Sequence, residues 1–129
     1  MRLRTWLWIG IAVALLGCAS SRIDKLDTAL RAYESAMRWS DFPSAFAMTN
    51  QSSATPDFER LQHIRVTSYE RIGSPQVTAD GMRLVQLVEI RYVNVNRMAD
   101  RVLQDKQVWD YIEAEQRWRV TSPFPSFFQ

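Results

Sequence analysis

The stretch VWDYIEAEQRWRV, residues 108–120, determines the fold that the sequence predicts. Near its end Trp118 lies between two arginines, which is the alternation of a strand with one buried and one solvated face. Glu113–Gln116 closes a hairpin, so that Trp109 and Tyr111 can pair with the last strand across it. The stretch therefore predicts two antiparallel strands whose aromatic side chains belong to a core.

Four segments of the chain have strand character, because β-branched and aromatic residues are concentrated in them. Gly73-Ser74-Pro75 interrupts the first segment and indicates a bulge or bend, since proline cannot donate a hydrogen bond to a central ladder. Asp80-Gly81 indicates a tight turn before the second segment. The order of the segments predicts an antiparallel meander. The predicted strands begin near Ile64, Met82, Arg101 and Arg117.

Helical patterns precede these strands. Residues 22–39 have an apolar side chain every three or four positions, which is typical of an amphipathic helix. Asp41 can cap a short second helix with Pro43 in its first turn, where the missing N–H costs nothing. A further helical turn is predicted around Phe58–Leu61. Helices followed by a meander predict an α+β fold, in which the N-terminal helices pack on one face of a curved four-stranded sheet.

The two faces of the longest predicted strand differ in polarity. The face expected to meet the helices carries Leu84, Val88, Ile90 and Tyr92. The other face mixes Glu89 and Arg91 with apolar residues, and it would leave an apolar patch unless something covers it. The aromatic tail, residues 122–129, or a second subunit is expected to cover this patch. The predicted interaction surface consists of Leu87, Val93, Phe124, Phe127 and Phe128.

The first residues differ in composition from the rest of the chain. Arg2 and Arg4 precede an apolar run of 11 residues, Trp6–Leu16, which is followed by small residues. This order is typical of an export signal. A transmembrane helix is the alternative, but a membrane span needs about 20 apolar residues.

Leu15-Leu16-Gly17-Cys18 resembles the lipobox of bacterial lipoproteins, in which a Leu stands three places before a Cys and a small residue directly before it. The resemblance implies cleavage before Cys18, a diacylglycerol on its sulfur and an acylated amino group, which together give stable membrane attachment. Ala19 in place of Asp after the Cys implies the outer membrane, with the domain facing the periplasm. The alternative is an ordinary signal peptide, with Cys18 as a small buried residue.

The expected cleavage divides the chain into a signal peptide (1–17), a lipidated tether (18–21), one α+β domain (22–121) and the tail (122–129). It also changes the net charge, because two of the 16 basic residues leave with the signal and 14 remain against 14 acidic residues. A nucleic-acid partner therefore lacks the basic surface it would need. Cys18 is the only cysteine and His63 the only histidine, so no disulfide, metal site or cofactor is predicted.

The order of helices, polar loop and meander, ending in Trp109-Asp110-Tyr111 and Arg117-Trp118-Arg119-Val120, is similar to the ketosteroid-isomerase-like (nuclear transport factor) fold. That resemblance implies a cone of helices and sheet around a pocket that is catalytic, ligand-binding or filled. An inward-facing carboxylate in such a pocket would favour an enzyme. The side chains expected to line the pocket are Tyr69, Tyr92, Trp109 and Trp118.

These observations predict a non-enzymatic, lipid-anchored domain of the bacterial cell envelope. It is expected to bind a protein partner, or a second copy of itself, through the outer face of the sheet. A domain that binds a small apolar ligand in its pocket is the alternative, and an isomerase or dehydratase comes third. No catalytic residue is predicted, because His63 is expected at the surface and strand alternation sends Asp110 and Glu89 to the outer face.

Overall fold

A computed structural model describes residues 21–128 and shows three helices followed by an open, curved sheet of four antiparallel strands. Helix α1 covers residues 21–38, and two short helices follow it, α2 (Phe42–Ala47) and α3 (Phe58–Leu61). The strands are β1 (Ile64–Val77), β2 (Arg83–Asn94), β3 (Ala99–Ile112) and β4 (Arg117–Val120). Each strand pairs with the next one in sequence. The predicted α+β fold is confirmed.

The expected signal peptide (1–17), the lipid attachment site Cys18 and the next two residues of the tether lie outside the described residues, as does Gln129. Within residues 21–128, no helix combines the length and the hydrophobicity that a membrane crossing requires.

Helix α1 packs on the sheet through the stripe that its sequence predicts. Leu26, Tyr33 and Met37 are buried in the common core, and Leu30 packs against it at the margin. Ile23, one turn before Leu26, is exposed, so the packed stripe begins at Leu26.

The two short helices begin at capping aspartates. A carboxylate oxygen of Asp41 accepts a hydrogen bond from the backbone N–H of Ser44 at 3.3 Å, and Pro43 lies in the first turn of α2. Asp57 accepts the backbone N–H of Arg60 at 3.1 Å in the same way. Both caps use a side-chain oxygen to satisfy an N–H that has no partner within the helix.

The predicted interruption in the first strand is a bulge within one continuous strand. The pairing of β1 with β2 shifts between Ile72 and Gln76, and Gly73 has a φ of 70° in this segment. Only glycine adopts such a backbone without a steric penalty. Gly81, with a φ of 69°, closes the tight turn before β2, as the sequence indicates.

The helices pack against one face of the sheet, which we call the inner face; the opposite face is the outer face. The tail packs on the inner side, because the Phe127 ring lies 5.0 Å from the rings of both Phe42 and Tyr92. The sequence predicts the tail over the outer face, and this placement corrects that expectation. Phe127 is buried in the corner between α2 and the end of β2, which the outer face could not offer it.

Candidate functional site

The inner face of the sheet holds a buried, hydrogen-bonded group of polar side chains centred on Gln107. The Gln107 side-chain nitrogen donates to the Tyr69 hydroxyl at 2.9 Å and to the Asp105 carboxylate at 3.0 Å. Its oxygen accepts from the Gln86 amide at 2.9 Å and from the Trp109 indole at 3.2 Å. We call these five residues the inner polar cluster.

Strand register brings the inner polar cluster together. Asp105, Gln107 and Trp109 alternate along β3, so they share one face of the sheet. Gln86 lies directly opposite Gln107 on β2. Sequence analysis identified Tyr69 and Trp109 as inward-facing but missed the three polar members. Strand alternation could have identified two of them, because counting back from Trp109 in steps of two places Gln107 and Asp105 on the inner face.

Asp105 is the unusual member of the cluster. Its residue surface is 7% exposed, and burial raises the pKa of its carboxyl to about 6, although the hydrogen bond from Gln107 acts in the opposite direction. The donor of that hydrogen bond is an uncharged amide, which compensates a buried carboxylate less well than a cation does. Near neutral pH, Asp105 therefore holds a negative charge at a cost in folding free energy.

Two polar atoms at the edge of the cluster have no hydrogen-bond partner among the described residues, the Tyr33 hydroxyl and the Gln86 side-chain oxygen. The Tyr33 ring packs edge-on against Trp109 with centroids 5.4 Å apart. Burial, and next the negative charge of Asp105, raise the pKa of the Tyr33 hydroxyl. Burial also raises the pKa of the Tyr69 hydroxyl, so both tyrosines stay protonated and neutral.

A second feature is a cleft at the far end of the sheet, where the β2–β3 turn meets α3 and the tail. Its volume is about 400 Å³. The Arg60 guanidinium lies over the Phe128 ring at 4.0 Å from the centroid, and the Tyr92 hydroxyl donates to the backbone oxygen of Phe127 at 3.2 Å. We call this cleft the arginine cleft; its lining includes Arg60, His63, Tyr92, Arg97, Arg101 and Phe128.

A third feature is a cleft of about 600 Å³ between the first half of α1 and the β3–β4 hairpin. Ala29, Ala32 and Met48 give it an apolar wall, and Lys25 lies at its rim. The indole of Trp118, which also lines it, donates to the backbone oxygen of Arg22 at 3.0 Å. We call it the α1 cleft.

The four residues predicted to line one pocket occupy three different places. Tyr69 and Trp109 belong to the inner polar cluster, where both bind Gln107. Tyr92 lines the arginine cleft, and Trp118 lines the α1 cleft. Asp105 lines neither cleft, so the inward carboxylate and the two cavities are separate features of the domain.

The outer face carries Leu87 and Val93, as predicted, and both are half-buried. Four of its charges form ion pairs within the face, Arg83 with Asp110 and Arg91 with Glu89. Arg83 and Asp110 form a two-point ion pair with distances of 2.6 Å and 3.1 Å, and the hydrogen bond from Arg83 lowers the pKa of the Asp110 carboxyl. The three phenylalanines of the predicted surface lie elsewhere, against α2, α3 and Tyr92; they are Phe124, Phe127 and Phe128.

No family model matches the chain, and no curated protein or solved structure matches it at a significant level. The resemblances to bacterial lipoproteins and to the ketosteroid-isomerase-like fold therefore stay predictions. Among the described residues, no three His, Cys, Asp or Glu side chains come close enough together to hold a metal ion.

Proposed function

We propose that this chain is a lipid-anchored domain of the bacterial cell envelope, without enzymatic activity, that faces the periplasm from the outer membrane. It binds protein through the outer face of its sheet. One observation carries the proposal, namely that the helices and the tail pack on the inner side while apolar side chains from three strands lie on the outer face.

These apolar side chains are neighbours in the sheet. Ile72 on β1 lies opposite Leu87 on β2, and Val85 on β2 lies opposite Val108 on β3. Ile72 is 39% exposed, which is high for an isoleucine in a strand. A continuous apolar patch that its own domain leaves open is typical of a protein interaction site.

The occupant we favour is a second copy of the same chain. On the outer face Arg83 pairs with Asp110 and Arg91 with Glu89, and the remaining charges are of both signs, as at Lys106 and Asp100, so an identical face is not uniformly repelled. Two such faces can pack about a two-fold axis at the usual sheet-to-sheet spacing of about 10 Å. Anchoring confines the copies to one plane, which raises their effective concentration.

The position of α1 supports the anchor. Residue 21 is already helical and lies three positions after Cys18, so an anchored domain would be held close to the bilayer. The first turns of α1 are fixed to the β3–β4 hairpin, because the Lys25 amine donates to the backbone oxygen of Gln116 at 3.2 Å. Lys25 and Arg117 are therefore near this end, where basic side chains favour anionic headgroups.

Crosslinking in intact cells tests the interaction. We expect the wild-type chain to be captured as a dimer and Leu87→Glu to be captured as a monomer, because a carboxylate in the apolar patch cannot be solvated in the interface. Met98→Glu is the matched control, since it adds the same charge at an exposed turn residue. A crosslinked species of a mass other than that of the dimer, present in the wild type and absent in Leu87→Glu, would identify a different protein on the same face. Capture that Leu87→Glu leaves unchanged would contradict the proposal.

The anchor has its own test. We expect Cys18→Ser to remain uncleaved, to lose the acyl mass and to leave the membrane-lipoprotein fraction, as judged by intact-protein mass spectrometry and fractionation. A Cys18→Ser chain that matures and fractionates like the wild type would contradict the lipid anchor, whatever the crosslinking shows.

Binding of a small apolar ligand is the second candidate function, and the α1 cleft favours it. The cleft volume of about 600 Å³ lies within the range of small-molecule sites. We expect Ala32→Phe, which fills the apolar wall, to abolish binding of an apolar fluorescent probe that quenches Trp118. Equal probe binding to both forms would exclude the α1 cleft.

A further inference from the structure

We propose that the arginine cleft binds the phosphate group of a ligand. Three guanidinium groups from separate parts of the chain line it, namely Arg60 on α3, Arg97 in the β2–β3 turn and Arg101 on β3. Guanidinium groups recognise phosphate oxygens through paired N–H donors, and this geometry is stronger and more selective than a single charge. The phosphate site goes beyond the proposed function and does not rest on it; the preference for a soluble ester over a lipid rests on the proposed anchor.

Within residues 21–128, no carboxylate forms an ion pair with the guanidinium groups of Arg60, Arg97 or Arg101. Glu59, next to Arg60, forms no ion pair with it. Asp100, next to Arg101, pairs in register with Val93, whereas Arg101 pairs with Tyr92. Because neighbours in a strand alternate, Asp100 lies on the outer face and Arg101 on the inner one.

The three arginines are solvent-exposed residues, but they surround one cavity instead of lying apart on the surface. Like charges that converge on one cleft add their fields there and attract an anion to it. Three like charges around one cleft repel each other, and a bound dianion would remove this repulsion. The positive charge of Arg101 already reaches the floor of the cleft, since it opposes the rise that burial causes in the pKa of Tyr92.

The remaining lining indicates what the phosphate is attached to. Phe128 and the margin of the buried Phe127 line the cleft together with Asn94 and Asn96. A volume of about 400 Å³ accommodates a phosphate together with one ring-sized organic group. The ligand class is therefore a small phosphate ester, whose organic part lies among Phe128, Asn94 and Asn96.

The position of the cleft favours a soluble ester over a lipid headgroup. The first turns of α1 contact the β3–β4 hairpin at one end of the sheet, whereas the cleft lies beyond the other end of β2. The 12 residues of β2 separate these ends by about 40 Å. If Cys18 carries the anchor, the arginine cleft faces away from the membrane that holds the chain.

Isothermal titration calorimetry tests the site on the full chain in dodecyl maltoside micelles, with glucose 6-phosphate as the probe and glucose as its uncharged counterpart. We expect the phosphate ester to bind and glucose not to bind. The double variant Arg97→Gln/Arg101→Gln should weaken binding about a hundredfold, at about tenfold for each guanidinium removed. Arg31→Gln/Arg71→Gln is the matched control, because it removes the same charge from exposed positions on α1 and β1 that line neither cleft, and it should bind like the wild type.

A second arm adds phosphatidylglycerol to the micelles and distinguishes the two sources of phosphate. Unchanged affinity for glucose 6-phosphate supports a soluble ligand. A lipid headgroup in the same site would give two results: phosphatidylglycerol would lower the affinity of the wild type for glucose 6-phosphate, and the Arg97→Gln/Arg101→Gln variant would lose phosphatidylglycerol binding. Absence of binding to both phosphates overturns the proposal. Equal loss of binding in the double variant and in its control also overturns it, because the effect would then be one of net charge.

Discussion

The inner and outer faces of the sheet depart from ordinary patterning in opposite directions. The inner face, which is sealed by α1 and the tail, buries Asp105 and Gln107. The outer face, which no described helix covers, leaves Ile72 and Val102 exposed, Val102 by 51%. Polar groups are normally absent from a buried face, and β-branched apolar side chains gain no burial free energy on a solvent-exposed face. Both departures cost folding free energy in an isolated domain, so both are places where function is expected to compensate.

The largest effect should come from the aromatic centre of the inner face. We expect Trp109→Ala to lower the free energy of unfolding by about 3–5 kcal/mol, because it leaves a cavity beside Tyr33 and removes the indole donor of Gln107. Denaturant unfolding followed by circular dichroism measures it. Trp39→Ala is the control: Trp39 is 83% exposed, so its loss should change stability by about 0.5 kcal/mol or less. Similar losses for both tryptophans would mean that the inner face is not the core.

The next effect is a gain in stability that depends on pH. The Asp105 carboxyl has a pKa of about 6 in the folded protein against an ordinary value of 3.8. The folded state therefore binds the proton more tightly, and this contribution is complete below about pH 4 and lost as the pH rises through about 6. The pKa shift corresponds to about 3 kcal/mol of folding free energy that is lost when the carboxyl ionises. Asp105→Asn should recover about 2 kcal/mol of this loss, because the new amide also needs hydrogen-bond partners.

Unfolding of wild type and Asp105→Asn at a series of pH values measures this gain. The variant should be more stable at pH 7.5, and the difference should disappear near pH 4. Asp100→Asn is the matched control, because Asp100 is exposed and lies on the outer face of the same strand. A variant that is less stable than the wild type at pH 7.5 but equal to it near pH 4 would show that the charge of Asp105 stabilises the fold.

The third effect separates satisfied from unsatisfied polar groups on the inner face. We expect Tyr33→Phe to stabilise the domain by about 1 kcal/mol, because it removes a buried hydroxyl without a described partner. Tyr69→Phe should destabilise it by about 1 kcal/mol, since its hydroxyl accepts the hydrogen bond from Gln107 at 2.9 Å. Thermal unfolding measures both. A loss on Tyr33→Phe would mean that the hydroxyl has a partner such as a bound water.

The sequence determines the fold better than it determines the site. The hairpin around Trp109 and Trp118, the bulge at Gly73, the cap at Asp41 and the helical turn at Phe58–Leu61 all follow from patterns within a few residues. Each of them is a local choice with one low-energy solution, which is why each prediction is confirmed.

The inner polar cluster is hard to predict because polarity and strand parity point in opposite directions. The polarity of Gln86, Asp105 and Gln107 favours a solvated position, although their alternation with Leu84 and Trp109 places them inside. The position of the tail could not be read from sequence at all. Phe127 contacts Phe42 and Tyr92, which are 85 and 35 residues away in the chain, and no local pattern encodes contacts of that range.

The smallest effect compares one substitution on both faces. Ile72→Thr on the outer face should cost about 0.5 kcal/mol, whereas Ile90→Thr on the inner face should cost about 2–3 kcal/mol, because Ile90 is completely buried and its new hydroxyl would be too. Both residues are β-branched before and after the change, so strand propensity stays constant. Dilute protein must be used, since association through the outer face would add a concentration-dependent term. If Ile72→Thr costs as much as Ile90→Thr in dilute protein, the outer face is packed within the monomer, and the apolar patch is not available to a partner.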